Sequence, residues 1–184
     1  MHLRSKKYYT SQNVLFYITL ITLILILFSF ITYAKTEQLS FLLFPVASIV
    51  EKVFNSSFYY QEAIGFVYES MSIVINKSCS GGTFLMICFC MLSFSFAGRI
   101  KKIKDKYLLV IGFLLLSYVL TILANVSRII IAIQMLSFKV SQNAQIERVL
   151  HQGVGVLVYC VYLWGIYIVL SKLIRVGEEN EKII

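Results

Sequence analysis

The sequence predicts an all-α integral membrane protein: one multi-pass domain over 1–184 with about four transmembrane helices, interfacial or re-entrant helices between the first and second, and both termini cytoplasmic. Three observations carry this expectation. Of 184 residues, 59% are hydrophobic and 14% charged, with a mean hydropathy of +0.81, which is too apolar for a water-soluble domain of this length. Several uncharged runs are long enough to cross a bilayer, and short basic clusters stand at their ends. The formal charge of +8 is therefore distributed as membrane flanks and not as a nucleic-acid footprint, so nucleic acid is excluded as a partner and membrane lipid is expected as one. No tandem repeat or Gly/Ser linker marks a second domain.

Arg4, Lys6 and Lys7 precede an uncharged run from Val14 to Ala34, 21 residues that rise about 31 Å as a helix and so match a hydrocarbon core of roughly 30 Å. This is a retained first span with its amino terminus inside. Residues 39–54 hold a shorter apolar run containing Pro45, which reads as interfacial or re-entrant. Tyr59 to Asn76 places Glu62, Gly65, Glu69, Ser72 and Asn76 at spacings of three and four, a pattern that predicts an amphipathic helix along the membrane surface. Gly81 to Ala97 forms a short second span and ends in Arg99, Lys101, Lys102, Lys104 and Lys106, the strongest orientation signal in the chain. Tyr107 to Asn125 returns as the third span, and His151 opens the fourth, which closes at Lys172 and Arg175. This topology puts eleven Lys and Arg residues inside and six outside, as the positive-inside rule requires.

The four cysteines separate by depth. Cys88, Cys90 and Cys160 fall in the middle of spans and read as small buried hydrophobes. Cys79, within Asn76-Lys77-Ser78-Cys79-Ser80-Gly81-Gly82-Thr83, faces the outer interface at the mouth of a helix. Ser78 or Ser80 can cap that helix, Gly81 and Gly82 admit close backbone approach, and the helix amino terminus favours a thiolate, the reactive form of cysteine.

Two more polar residues belong to the same side. Arg128 stands between an apolar span and Ile129-Ile130-Ile131, a costly place unless it snorkels to the interface or has a partner; Asn125 shares its helical face, and Glu62 or Glu69 is the first candidate for an ionic partner. His151 precedes Gly153 and Gly155, and Gly155, four residues on, leaves a bare surface against which a helix or a substrate can come close. Nucleophile, charge stabiliser and acid/base are thereby expected at one membrane face. No zinc pattern, phosphate loop or cofactor motif is present in the sequence. The competing expectation from another class is a non-enzymatic membrane component, a permease subunit or assembly scaffold, in which these residues are interfacial anchors.

The ordered set Ser78-Cys79-Ser80-Gly81, Asn125-x-x-Arg128 and His151-Gln152-Gly153-x-Gly155 resembles the exosortase/archaeosortase family, particularly its short K-type members, over about Asn76 to Tyr159. The resemblance implies a multi-pass cysteine transpeptidase in the cell membrane of a prokaryote, with its active site on the non-cytoplasmic side. It implies Cys79 as nucleophile, Arg128 as charge stabiliser and His151 as acid/base, supported by Ser80, Gly81, Asn125 and Gly155. Partners would be cargo proteins bearing a carboxy-terminal recognition motif, a transmembrane helix and a basic tail, and no cofactor or metal is implied. Lys77 stands two residues before the cysteine, where better-known members often carry an acidic residue.

Overall fold

Among the described residues, four helices are long and apolar enough to cross a membrane, at Gln12–Tyr33, Lys77–Arg99, Ile103–Met135 and Gln152–Arg175. The computed structural model describes the backbone of residues 2–71, 73–100, 102–137 and 144–180 and the side chains of 12–71, 73–100, 102–135 and 152–175. Helix α1 covers His2–Tyr33, α2 Ser40–Phe54, α3 Gly82–Phe96, α4 Ile103–Ser137 and α5 Ala144–Asn180. The short span foreseen at 81–97 is lengthened by 3-10 turns at Lys77–Cys79 and Ala97–Arg99.

Helix α3 is the centre of the bundle and α5 its rim. Of the most apolar window in each span, 61% is buried for α3 and 6% for α5. Phe84, Cys88, Phe89, Leu92 and Phe96 of α3 pack with Phe16 and Leu20 of α1 and Val110 and Phe113 of α4. Val156, Leu157, Val161 and Trp164 of α5 stay exposed, the side that lipid covers in a membrane. Cys160 is exposed on this same helix, which corrects its expected burial; it sits on the outward face next to Val161.

Of the run at 39–54, Leu39 ends a 3-10 turn and residues 40–54 form α2, at 15 residues too short to cross, which packs along the second half of α4. Pro45 lies inside it. A proline has no N–H to give the carbonyl four residues back, so Phe41 loses its helical donor; the Tyr118 hydroxyl of α4 takes that place, donating to Phe41 O at 2.8 Å with the two rings stacked.

The amphipathic helix expected over Tyr59–Asn76 is absent, so the chain is mostly helical and not all-α. The segment is an antiparallel meander of β1 Tyr59–Gln61, β2 Gly65–Tyr68 and β3 Ile73–Ile75, with Tyr60 opposite Phe66 and Phe66 opposite Ile75. Aromatic and β-branched residues dominate all three strands and suit a pleated surface. The polar residues that mimicked a helical stripe are turn residues. Ala63 (φ 63) and Gly65 (φ 121) reverse the chain, Glu62 lies between strands, and Glu69 begins a 3-10 turn; Ser72 lies outside the described residues. At Gly65 a side chain would strike Ile75 O, at 2.5 Å from its Cβ, so the turn needs glycine for space as well as for conformation. The sheet closes on α2 through Phe66, Tyr68 and Ile75, all in one buried cluster with Leu42, Leu43 and Val50.

Candidate functional site at one end of the bundle

Strand β3 runs directly into the segment that carries Cys79. Asn76 caps the turn: its Oδ1 accepts from Ser78 N at 3.0 Å and from Ser78 Oγ at 2.7 Å, while Cys79 N donates to Asn76 O at 2.8 Å. Cys79 therefore closes a 3-10 turn of its own and α3 begins three residues later, a difference from the expected position at the helix mouth. Ser80 Oγ accepts from Gly82 N at 3.3 Å, and Ser78 Oγ lies 3.8 Å from the half-buried Cys79 sulfur.

Gly81 joins the two pieces in the left-handed region (φ 69), where a Cβ would also lie 2.9 Å from Thr121 Cγ2 and 3.4 Å from the Asn125 amide. This glycine lets the Cys79 turn sit against α4. Lys77 donates from Nζ to Thr32 O at 2.7 Å, a cation at the carboxy-terminal end of α1. Beside it a cleft of about 700 Å³ opens between Tyr33, Lys35, Glu37, Glu62 and Lys77. Burial and the charges of Glu37 and Glu62 push the nearby Tyr60 hydroxyl above the ordinary tyrosine range.

Across from this turn, α4 presents a buried polar row of Ser117, Thr121 and Asn125, at spacings of four, which Arg128 continues. Asn125 Nδ2 donates to Cys79 O, and Asn125 Oδ1 accepts from Tyr159 Oη of α5 at 3.3 Å. Tyr159 Oη accepts from Arg128 Nη1 at 3.2 Å, the guanidinium carbon stands 5.9 Å from the Tyr159 ring centre, and Phe84 of α3 packs on that ring at 4.7 Å. Arg128 Nε is buried with no hydrogen-bond partner among the described residues. Its stem lies on Gly155, where an added Cβ would be 3.0 Å from Nε and 3.2 Å from Cδ.

Cys79, Ser80, Gly81, Asn125, Arg128 and Gly155 are thus brought to one end of the bundle, joined by contacts running from the Cys79 turn through α4 to α5. The side chain of His151 lies outside the described residues; its backbone is in α5, one helical turn before Gly155. Glu62 and Glu69 do not pair with Arg128. Glu62 lines the cleft, and Glu69 lies near the Tyr59 hydroxyl, which burial and this carboxylate hold above its ordinary pKa. Among the described residues no three His, Cys, Asp or Glu side chains converge as a metal set.

Two residues of this arrangement escaped sequence reasoning. Asn76 falls on the apparent helical stripe, although Asn before Lys-Ser-Cys is a turn-capping signal. Tyr159 follows His151 and Gly155 at steps of four, so the three share one helical face, and that spacing was available in the sequence. Comparison with family models, with curated proteins and with solved structures finds no match.

Proposed function

We propose that the chain is a membrane-embedded cysteine transpeptidase of exosortase type, with both termini cytoplasmic and Cys79 at the outer face of a prokaryotic cell membrane, where it cleaves the carboxy-terminal sorting signal of exported cargo. The observation that carries this reading is the hydrogen-bonded path from the Cys79 carbonyl through Asn125 and Tyr159 to Arg128. A nucleophile and a guanidinium whose Nε has no hydrogen-bond partner among the described residues are held by one network at one end of the bundle. A mere anchor would have no use for that link.

In the proposed reaction His151 takes the Cys79 proton, and the thiolate attacks a cargo peptide carbonyl, forming a C–S bond and an oxyanion that Arg128 stabilises. Collapse breaks the C–N bond. The departing amine takes the proton from His151, leaving a thioester. An amine, hydroxyl or water then attacks the thioester, its proton passes through His151 to the leaving Cys79 sulfur, and the resting thiol returns.

The decisive experiment compares the carboxy-terminal peptides of exported proteins, by mass spectrometry, in cells carrying wild-type protein or Cys79→Ala. Cys79→Ala at normal abundance abolishes processing if the reading is right, and unchanged carboxy termini would return the chain to the non-enzymatic class. On intact cells a membrane-impermeant maleimide reaches Cys79; labelling only after permeabilisation reverses the proposed orientation.

A further inference from the structure

We propose that Tyr159 is a positioning residue that decides which edge of Arg128 meets the substrate, an inference that rests on the transpeptidase reading. The argument begins at the Cys79 carbonyl, which can only accept. Asn125 must therefore present its NH2 group there and turn Oδ1 toward α5. That oxygen in turn can only accept, so the single proton of the Tyr159 hydroxyl is committed to Asn125. What remains on the phenol oxygen is lone pairs, and one of them receives Arg128 Nη1. The polarity of the whole path is set by a backbone carbonyl next to the nucleophile.

The consequence falls on the guanidinium. With Nη1 held by Tyr159, the edge left over is the Nε–Nη2 edge, which carries the two parallel N–H bonds that grip an oxygen pair or a developing oxyanion. Nε on that edge is the buried donor that lacks a partner among the described residues. A buried unpaired donor destabilises the resting state, and an incoming carbonyl oxygen that becomes an oxyanion relieves this most in the transition state. Tyr159 is itself held: Phe84 packs on its ring, and that contact does not involve the hydroxyl. Ring and hydroxyl therefore have separable roles.

Tyr159→Phe separates them, since it keeps the ring on Phe84 and beneath the guanidinium and removes only the O–H. The readout is the rate at which exported proteins lose those carboxy-terminal peptides whose loss depends on Cys79, so Cys79→Ala in the same assay reports on the reading itself. Tyr159→Phe is expected to accumulate normally and to process about ten- to a hundredfold more slowly, the scale of one lost hydrogen bond to a charged group. In an Arg128→Lys background the same change is expected to add nothing, because no planar edge remains to be oriented; a purely structural tyrosine would lose the same factor in both backgrounds. Wild-type processing by Tyr159→Phe, equal losses in the two backgrounds, or failure of the variant to accumulate each overturns the inference while leaving the role of Cys79 standing. Loss of the Cys79 dependence overturns both.

Discussion

Lys106 and Arg128, two of the cations of helix α4, stand toward opposite ends of the bundle and are treated differently. Lys106, almost wholly buried, donates from Nζ to Asn13 Oδ1 at 2.6 Å and lies 5.5 Å from the Phe16 ring centre, so α1 supplies both an acceptor and a π-face. Arg128, 22 residues further and about 33 Å along the helix, has one phenol as acceptor, one ring, and a buried Nε with nothing to bond among the described residues. The first arrangement is complete and ties two helices together. The second is incomplete among the described residues, at the end of the bundle where Cys79 sits, and a completed cation reads as structure whereas an incomplete one reads as a site.

The largest expected effect would break this comparison outright. Arg128→Lys keeps a charge and a long stem but loses the planar fork, and processing should fall by about a hundredfold or more at unchanged abundance, the scale of one lost oxyanion donor. Lys106→Met should do the reverse, lowering stability by about 1–3 kcal/mol as its hydrogen bond to Asn13 and its cation–π contact are lost, with processing per molecule intact. Measuring abundance, thermal unfolding in detergent and processing for both variants checks the pair; the same pattern in each would mean that the two ends do not differ in kind.

A smaller effect sharpens the comparison on the α5 side, where two glycines stand two residues apart. A Cβ at Gly155 would press on Arg128 Nε and Cδ, whereas one at Gly153 meets nothing within 4 Å. Gly155→Ala should displace the guanidinium and slow processing roughly tenfold, the scale of about 1.4 kcal/mol in transition-state binding. Gly153→Ala should process normally and stabilise α5 slightly, since alanine is the better helix former. Equal behaviour of the two would detach Gly155 from the site.

The smallest expected effect lies in the cap that backs the site. Tyr68, fully buried, donates to Ala47 O at 2.6 Å, and burial together with the charge of Glu51 pushes its hydroxyl well above the ordinary tyrosine range. Its raised pKa means that the neutral form favours the fold, so its contribution is fully present below pH 10.0 and is lost as pH climbs toward the folded-state value. Tyr68→Phe should cost about 1 kcal/mol near neutrality and should flatten the alkaline decline of thermal stability above pH 10.0. An unchanged decline would assign the alkaline sensitivity to other groups.

The sequence by itself determined the membrane class and the four spans, because uncharged length and flanking charge are one-dimensional properties that a bilayer reads directly. It also singled out Cys79, Asn125, Arg128 and Gly155, since Arg128 is costly among its apolar neighbours and Gly155 leaves a bare helix surface wherever it sits. Only the tertiary structure decided that Tyr59–Asn76 is a sheet, because turn residues at spacings of three and four imitate a helical stripe until strands pair across the chain and bury Phe66, Tyr68 and Ile75 against α2. Likewise the role of Tyr159 was decided when α5 met α4: its spacing from His151 and Gly155 places it on their face, but its hydroxyl acquires meaning from Asn125, 34 residues away, and Arg128, 31 residues away, whose nearness is a product of packing.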